Sequence, residues 1–147
     1  MTHRILVVGK PALSFAAAGI EDYLKRMRRY GNYTLETLKD GPAEKVAQKL
    51  LDASAGTHRV VLDERGLQPT TRQFADLMTR WQGDPGIKAV SYLIGPSNGH
   101  LPKTREAADQ LLALSPLTLQ HELATLMLAE QLYRIATIQA GTPYHRD

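Results

Sequence analysis

The stretch Ala89-Val90-Ser91-Tyr92-Leu93-Ile94 runs directly into Gly95-Pro96-Ser97-Asn98-Gly99. The first part is a short apolar run that predicts a buried strand. The second part predicts a loop in which glycines let the backbone turn or approach a ligand closely. In an open α/β sheet, ligands bind beyond the carboxyl ends of the strands. Taken alone, however, the loop is better explained as an ordinary tight turn that needs positive φ.

Strand-like and helix-like segments alternate on both sides of this stretch. Strands are predicted at 4–8, 32–38, 58–62, 89–94 and 111–114, and helices at 13–29, 42–55, 70–82, 103–108 and 122–140. The charged segment Asp63-Glu64-Arg65-Gly66 is predicted to be a loop, and Thr70 with Gln73 predicts a capping box. The alternation favours an α/β fold with a mainly parallel sheet, and residues 1–147 are predicted to form a single domain.

Composition narrows the class of protein. The 147 residues carry a net charge of +3 and contain no cysteine, so disulfides and thiolate metal sites are excluded and a cytoplasmic location is expected. No apolar run approaches the length that spans a bilayer, and no export signal is expected. The sequence contains no P-loop, dinucleotide fingerprint, nucleophile elbow or zinc-ligand spacing, so we expect no bound metal. The mild positive charge permits a nucleic-acid partner without requiring one.

Two apolar segments near the C-terminus need an explanation. Leu114-Ser115-Pro116-Leu117-Thr118-Leu119 lies between a strand and the last helix, where exposed loops are usually polar. It is either a buried crossover or the wall of an apolar pocket for a flat ring, and periodicity does not distinguish these alternatives. The helix at 122–140 is apolar nearly all round, which favours a subunit interface over complete burial within one chain.

Two groups of polar residues have both a structural and a functional explanation. The tail at Tyr144-His145-Arg146 is either a solvated chain end or an element that stacks on a base and contacts phosphate, with Arg134 as a further cation. Lys25, Arg26, Arg28 and Arg29 either complement the C-terminal end of the first helix or form a phosphate-contacting patch. Both pairs of explanations stay open at this point.

The whole chain resembles the bacterial 23S rRNA pseudouridine N3-methyltransferase family, RlmH, of the SPOUT superfamily. The resemblance is densest after Val60 and depends on the order and spacing of several short segments. These are Leu62-Asp63, the segments at 93–99 and 114–119 with His121, Glu130-Gln131-Leu132-Tyr133-Arg134, and the ending Pro143-Tyr144-His145-Arg146-Asp147.

The resemblance implies a fold, a cofactor and a substrate. The fold would be an α/β domain with a deep C-terminal trefoil knot that works as a homodimer. The cofactor would be S-adenosylmethionine, and the substrate a pseudouridine in a stem-loop of 23S rRNA within the assembled ribosome. The cofactor-contacting positions of the family fall on Leu62, Gly95, Leu114, Ser115, Pro116, Leu117, Thr118 and Leu119. Two positions depart from the family: Pro96 stands where a second glycine is usual, and Gln120 where proline is common.

The chemistry implied by the resemblance needs a proton acceptor, because N3 of pseudouridine is a weak acid. Histidine is the residue type whose ordinary pKa lies nearest to neutral pH, so His145 is the candidate base or proton relay. Arg134 and Arg146 are the candidates for stabilising the anion or holding phosphate, and Tyr144 for stacking or hydrogen bonding to the base. The alternatives are methylation of a ribose hydroxyl or of another base, for example in tRNA, and an RNA-binding module without enzymatic activity.

Overall fold

The computed structural model describes residues 1–145, in which strands and helices alternate. The strands are β1 (Thr2–Val8), β2 (Asn32–Leu38), β3 (His58–Leu67), β4 (Ala89–Ile94) and β5 (Gln110–Leu112). The helices are α1 (Ser14–Met27), α2 (Ala43–Ala53), α3 (Thr71–Gly83), α4 (Pro102–Glu106) and α5 (His121–Ala140). Every predicted element is therefore present, most of them within two residues of the predicted bounds.

All strands of the described chain join one parallel sheet in the order β2-β1-β4-β3-β5. Strand β4 lies in the centre, and its residues from Val90 to Ile94 are buried. A continuous apolar run suits this place because helices cover both faces of the sheet. The predicted α/β fold with a parallel sheet is confirmed.

The two faces of the sheet carry separate apolar cores. On one face, α1, α3 and α5 pack over residues such as Ile5, Val60 and Tyr92. On the other face, α2 packs over Leu6, Val61 and Leu93. Neighbouring residues of one strand thus point to opposite faces, as the two-residue period of a strand requires. No helix of residues 1–145 is long and apolar enough to cross a bilayer.

The predicted loop at Asp63-Glu64-Arg65-Gly66 is wrong, because β3 continues through these residues to Leu67. The strand passes β5 with a shift of register, so that both Leu62 and Leu67 lie opposite Leu112. Gly66 makes the close passage possible: a Cβ there would lie 2.6 Å from the carbonyl oxygen of Leu111. The charged residues of this segment are typical of a loop. Its pairing partner, β5, lies more than 40 residues further along the chain, so the segment alone does not reveal the strand.

Candidate active site

A cavity of about 430 Å³ opens where β4 and β5 end and where β3 shifts its register against β5. We call it the loop cavity; three segments, 62–65, 94–100 and 114–121, supply most of its lining. It therefore lies beyond the carboxyl ends of parallel strands, the place where open α/β sheets bind ligands. The predicted residues that line it are Leu62, Gly95, Leu114, Ser115, Leu117, Thr118 and Leu119. Pro116 belongs to the same loop but is not among the described residues that line the cavity.

The glycines of the first loop serve the loop's own geometry. Gly99 has φ +83°, and its N–H donates to the carbonyl of Pro96 at 2.8 Å, which closes a tight turn. A Cβ on Gly95 would lie 3.3 Å from the carbonyl carbon of Gly99 and from the ring of His100. The turn explanation is therefore correct for Gly99, and Gly95 allows the loop to fold back upon itself. Pro96 fits because the turn uses its carbonyl, and proline lacks only the N–H.

A buried carboxylate anchors the cations of the loop cavity. The side chain of Asp63 is 6% exposed and accepts from the backbone N–H of Arg65 at 2.9 Å. The guanidinium nitrogens of Arg65 and Arg105 lie 3.2 and 3.8 Å from its two oxygens. Thr118 donates to Glu64 at 3.2 Å, which ties the apolar loop to β3. Glu64 and Arg65 were not among the predicted site residues, because 63–66 was predicted to be a loop. Arg105 was predicted only as part of a short helix, since no local signal links it to Asp63.

His100 contributes an unpaired acceptor beside this cavity. Its Nε2 lies 3.0 Å from the carbonyl oxygen of Leu93. A carbonyl only accepts, so Nε2 carries the proton and Nδ1 is an acceptor. Nδ1 is buried and has no hydrogen-bond partner among residues 1–145. Burial lowers the pKa of His100, so the ring stays neutral near pH 7.

The start of α5 is built around Gln120. Its side-chain oxygen accepts from the N–H groups of Glu122 and Leu123 at 2.8 and 3.0 Å, so glutamine caps the helix here. Glu122 in turn accepts from the N–H groups of Ala12 and Leu13 at 2.7 and 3.1 Å. The presence of Gln120 instead of proline thus supplies a side-chain cap that proline lacks.

The middle of α5 and the tail that follows the helix hold a second group of predicted site residues. Glu130 accepts from Arg134 Nε and Nη2 at 2.9 and 2.6 Å and from the Tyr144 hydroxyl at 3.1 Å. The Tyr144 ring packs edge-to-face on Tyr133 with centroids 4.6 Å apart, and the Arg134 guanidinium lies 4.8 Å from its centre. Tyr144 is therefore fixed against the protein, and the solvated-tail explanation is wrong for it.

The remaining tail residues are only partly described. His145 is half-buried, and its Nδ1 has no hydrogen-bond partner among the described residues. Arg146, the other predicted tail residue, lies outside the described residues, as does Asp147. Within residues 1–145, no cluster of three or more His, Cys, Asp or Glu side chains could hold a metal ion.

Comparison with known proteins identifies the family. The sequence model of the family described as "Predicted SPOUT methyltransferase" matches residues 1–145. The chain belongs to the SPOUT methyltransferase family. The match covers both the loop cavity and the far end of α5.

Curated relatives narrow the placement of this SPOUT methyltransferase. "Ribosomal RNA large subunit methyltransferase H" of Thermus thermophilus is 46% identical over 146 residues, covering 99% of both chains. The protein of the same name from Nitrosospira multiformis is 40% identical over 157 residues, again with 99% of both chains covered. The resemblance to the RlmH family is thereby confirmed, and the protein is a methyltransferase.

Solved structures share the fold of this SPOUT methyltransferase at low identity. A probable methyltransferase from Bordetella pertussis superimposes with a TM-score of 0.57 at 14% identity, covering 91% of this chain and 95% of the other. A probable methylase family protein from Haemophilus influenzae gives a TM-score of 0.56 at 12% identity, covering 99% and 70%. At such identities the likeness concerns the fold alone.

The two groups of site residues of this SPOUT methyltransferase lie on different parts of α5. His121 lines the loop cavity at the start of the helix, whereas Tyr144 follows its end and folds back to contact Glu130 in its middle. Glu130 lies about 14 Å beyond His121 along the helix. The tail and the loop cavity are therefore separated by about half the length of α5.

Exposed apolar side chains surround the start of α5. Phe15 is 63% exposed, Leu117 71% and Leu123 37%. We call these three residues the apolar patch. Glu122 joins the starts of α1 and α5 through its bonds to residues 12 and 13, so Phe15 and Leu123 belong to the same end of the helix pair. The buried face of α5 instead includes Leu128, Leu132 and Ile135.

Proposed function

We propose that this methyltransferase transfers a methyl group from S-adenosylmethionine to N3 of a pseudouridine in a stem-loop of 23S rRNA within the assembled ribosome. The 46% identity over the whole chain with a protein named as a large-subunit rRNA methyltransferase carries the proposal of an rRNA substrate. The RlmH resemblance supports the pseudouridine, the N3 position and the assembled ribosome. It also supports a deep trefoil knot in the C-terminal half of this one-domain protein, and a reaction in the cytoplasm.

The loop cavity is the proposed site of S-adenosylmethionine. Its volume of about 430 Å³ lies within the usual range for small-molecule sites. Apolar walls from Leu114, Leu117 and Leu119 suit a flat adenine ring. The unpaired Nδ1 of His100 is available to accept a hydrogen bond from an amino or hydroxyl group. These features fit a nucleoside with a charged chain. Pro116 would act indirectly, by fixing the conformation of the loop that lines the cavity.

A homodimer would complete the site. The Tyr144 hydroxyl contacts Glu130, which lies about 14 Å along α5 from His121 in the loop cavity of its own protomer. A twofold axis that crosses α5 near its middle would place two α5 helices side by side in opposite directions. The tail of one protomer would then lie near the loop cavity of its partner. Burial of Phe15 and Leu123 would supply part of the association free energy.

The residues of the tail have separate proposed roles. S-adenosylmethionine, when bound, supplies an electrophilic methyl group on its sulfonium. His145 would take the proton that N3 of the base loses on methylation. Arg134 and Arg146 stabilise negative charge on the base or hold a phosphate. Tyr144 stacks on the base or donates a hydrogen bond to it.

The deciding experiment compares RNA from two strains and then repeats the reaction in vitro. Nucleoside analysis of 23S rRNA from a deletion strain and its parent should show one methylated pseudouridine missing from the deletion strain. Purified protein with labelled methyl donor should restore the label on ribosomes from that strain. A lost ribose methyl, a label on another base, or a label on tRNA alone would overturn the proposal.

A further inference from the structure

A dense run of positively charged residues lies at the end of α1. Residues 23–35 contain Lys25, Arg26, Arg28 and Arg29 and no carboxylate, and all four cations are exposed. The whole chain has a net charge of only +3, so the remaining residues together are close to neutral. The four cations of this run together exceed the net charge of the whole chain.

Complementing the helix end does not account for this cluster. The C-terminus of a helix carries roughly half a negative charge, which acts within its last turn. Helix α1 ends at Met27, so Arg28 is its C-cap and Arg29 lies beyond it. Of the carboxylates described, Asp22 pairs with the cluster, 3.2 Å from Arg26. The charges of Lys25, Arg28 and Arg29 therefore contribute little to the stability of the fold.

Tyrosine rings alternate with these cations. The guanidinium of Arg26 lies 5.8 Å from the ring centre of Tyr23 and 5.9 Å from that of Tyr133. The guanidinium of Arg29 lies 5.2 Å from the ring centre of Tyr30. We call the four cations with these three rings the basic-aromatic surface. Arginine planes held by aromatic rings suit RNA, because they offer phosphate contacts and stacking surfaces together.

The basic-aromatic surface is continuous with the tail. The hydroxyl oxygens of Tyr23 and Tyr144 are 3.4 Å apart. The hydroxyl of Tyr30 lies 3.2 Å from Thr142 Oγ1, and Thr142 is only two residues beyond the end of α5. An RNA strand that places a base at the tail would therefore pass these cations with its neighbouring nucleotides.

We propose that the basic-aromatic surface binds phosphates of the RNA strand next to the target nucleotide. The inference rests on the proposed function, since it assigns a role to the substrate RNA of that function. It also decides between the two explanations of this cluster that the sequence left open, in favour of the phosphate-contacting patch. Arg28 and Arg29 carry the largest share, because they lie beyond the helix and form no described ion pair.

The test measures salt dependence of binding with a double substitution, Arg28→Gln with Arg29→Gln. Each lost phosphate contact on a single strand lowers the slope of log affinity against log salt by about 0.7. Loss of two contacts should lower the slope by about 1.4. When salt is raised from roughly 50 to 200 mM, the variant should therefore lose about sevenfold less affinity than the wild type does. Lys45→Gln with Lys49→Gln on α2 removes the same charge from another exposed helix and should leave the slope nearly unchanged.

Binding should be measured on ribosomes and on a protein-free stem-loop fragment of 23S rRNA. A reduced slope on both supports phosphate contacts, whereas a wild-type slope in the arginine variant would refute them. An equal change in the lysine variant would also refute a localised surface. A defect on ribosomes but not on the fragment would assign the surface to an acidic ribosomal protein instead.

Failure of the proposed function would be recognised separately. Wild-type protein that binds ribosomes but methylates no RNA would refute that function. The salt slopes of the wild type and the two double variants would still show whether the basic-aromatic surface binds phosphate. Unchanged binding of S-adenosylmethionine by both double variants shows that the fold is intact.

Discussion

Tyr144 and Arg134 share one acceptor, since the tyrosine hydroxyl and two guanidinium nitrogens all bond to Glu130 Oε1 at 2.6–3.1 Å. Arg134 also covers the face of the Tyr144 ring. The tail is thus held to α5 by charge-assisted hydrogen bonds as well as by packing. Burial, with help from Tyr23 and Glu130, raises the pKa of Tyr144, so its hydroxyl remains a donor throughout the physiological range.

Deletion of Tyr144 to Asp147 should abolish methylation while S-adenosylmethionine still binds. It should also lower the melting temperature by several degrees, because the edge-to-face contact with Tyr133 is worth roughly 0.5–1.5 kcal/mol. Single-turnover methylation of ribosomes and thermal unfolding measure the two effects.

Single substitutions in the tail separate its roles. His145→Ala should lose roughly 100- to 10,000-fold in rate if proton transfer passes through this ring. Arg146→Lys keeps the charge but loses the planar fork, and should also be slower. Wild-type rates in the deletion would remove the tail from the mechanism.

Gly95→Val should weaken S-adenosylmethionine binding, because the added atoms must displace the backbone at Gly99 or the ring of His100, each 3.3 Å from the new Cβ. Calorimetry on the folded variant measures the loss. Gly83→Ala is the control, since no atom of residues 1–145 lies within 4 Å of its added Cβ. Normal affinity in Gly95→Val would show that the loop cavity is not the cofactor site.

Gly66→Ala should destabilise the protein strongly. The added carbon would lie 2.5 Å from the carbonyl carbon of Leu111, and backbone cannot rotate away as a side chain can. Chemical denaturation should show a midpoint well below that of Gly83→Ala. Equal midpoints would mean that β3 and β5 separate at little cost.

Stability should fall as the pH is lowered from about 6.5 to about 4, in part because of His3. This ring is 3% exposed, stacks on Tyr33 and lies 3.0 Å from the Tyr92 hydroxyl. Burial, with the nearby N-terminal charge, lowers the pKa of His3 to about 4. In this window the unfolded chain, with a histidine pKa near 6.5, binds a proton that the folded protein does not.

The difference in pKa corresponds to about 3 kcal/mol lost by about pH 4. The free energy of unfolding, measured by denaturation at several pH values, should therefore fall less steeply in His3→Gln. An NMR titration of the wild-type ring tests the cause directly. A His3 pKa near the ordinary histidine value of about 6.5 in the folded protein would contradict the prediction.

Leu123→Glu should weaken association without unfolding the protomer, because the side chain is already 37% exposed. Leu128→Glu should instead prevent folding, since Leu128 is fully buried within one protomer and its unpaired charge could not be hydrated. Light scattering at micromolar concentration measures association, and circular dichroism measures folding. A monomeric wild type would refute the homodimer.

The sequence predicted local features that depend on nearby residues. The capping box of Thr70 with Gln73 is present, and Gly141 ends α5 with φ 72°. Strand β4 was recognisable because five consecutive buried residues leave a continuous apolar run. These signals are complete within a few residues of the chain, so no knowledge of the tertiary structure is needed to recognise them.

Features that join distant segments could not be predicted in the same way. The extension of β3 depends on β5, and the pairing of Asp63 with Arg105 joins residues that are far apart in the chain. The lining of the loop cavity and the role of the tail came from the family resemblance. The cofactor contacts, the catalytic roles and the extent of the single domain stay predictions.

The bonds from Glu122 to the N–H groups of Ala12 and Leu13 span about 110 positions of the chain. The N–H of Leu13, and to a smaller extent that of Ala12, lowers the pKa of this carboxyl. The connection between β1 and α1 therefore lacks this acceptor for its amide groups until the last helix has been made. β1 likewise cannot complete its pairing until β4, its neighbour in the sheet, has been made. During synthesis, the N-terminal third must leave the ribosome unfinished, and the native state forms only after α5 has emerged.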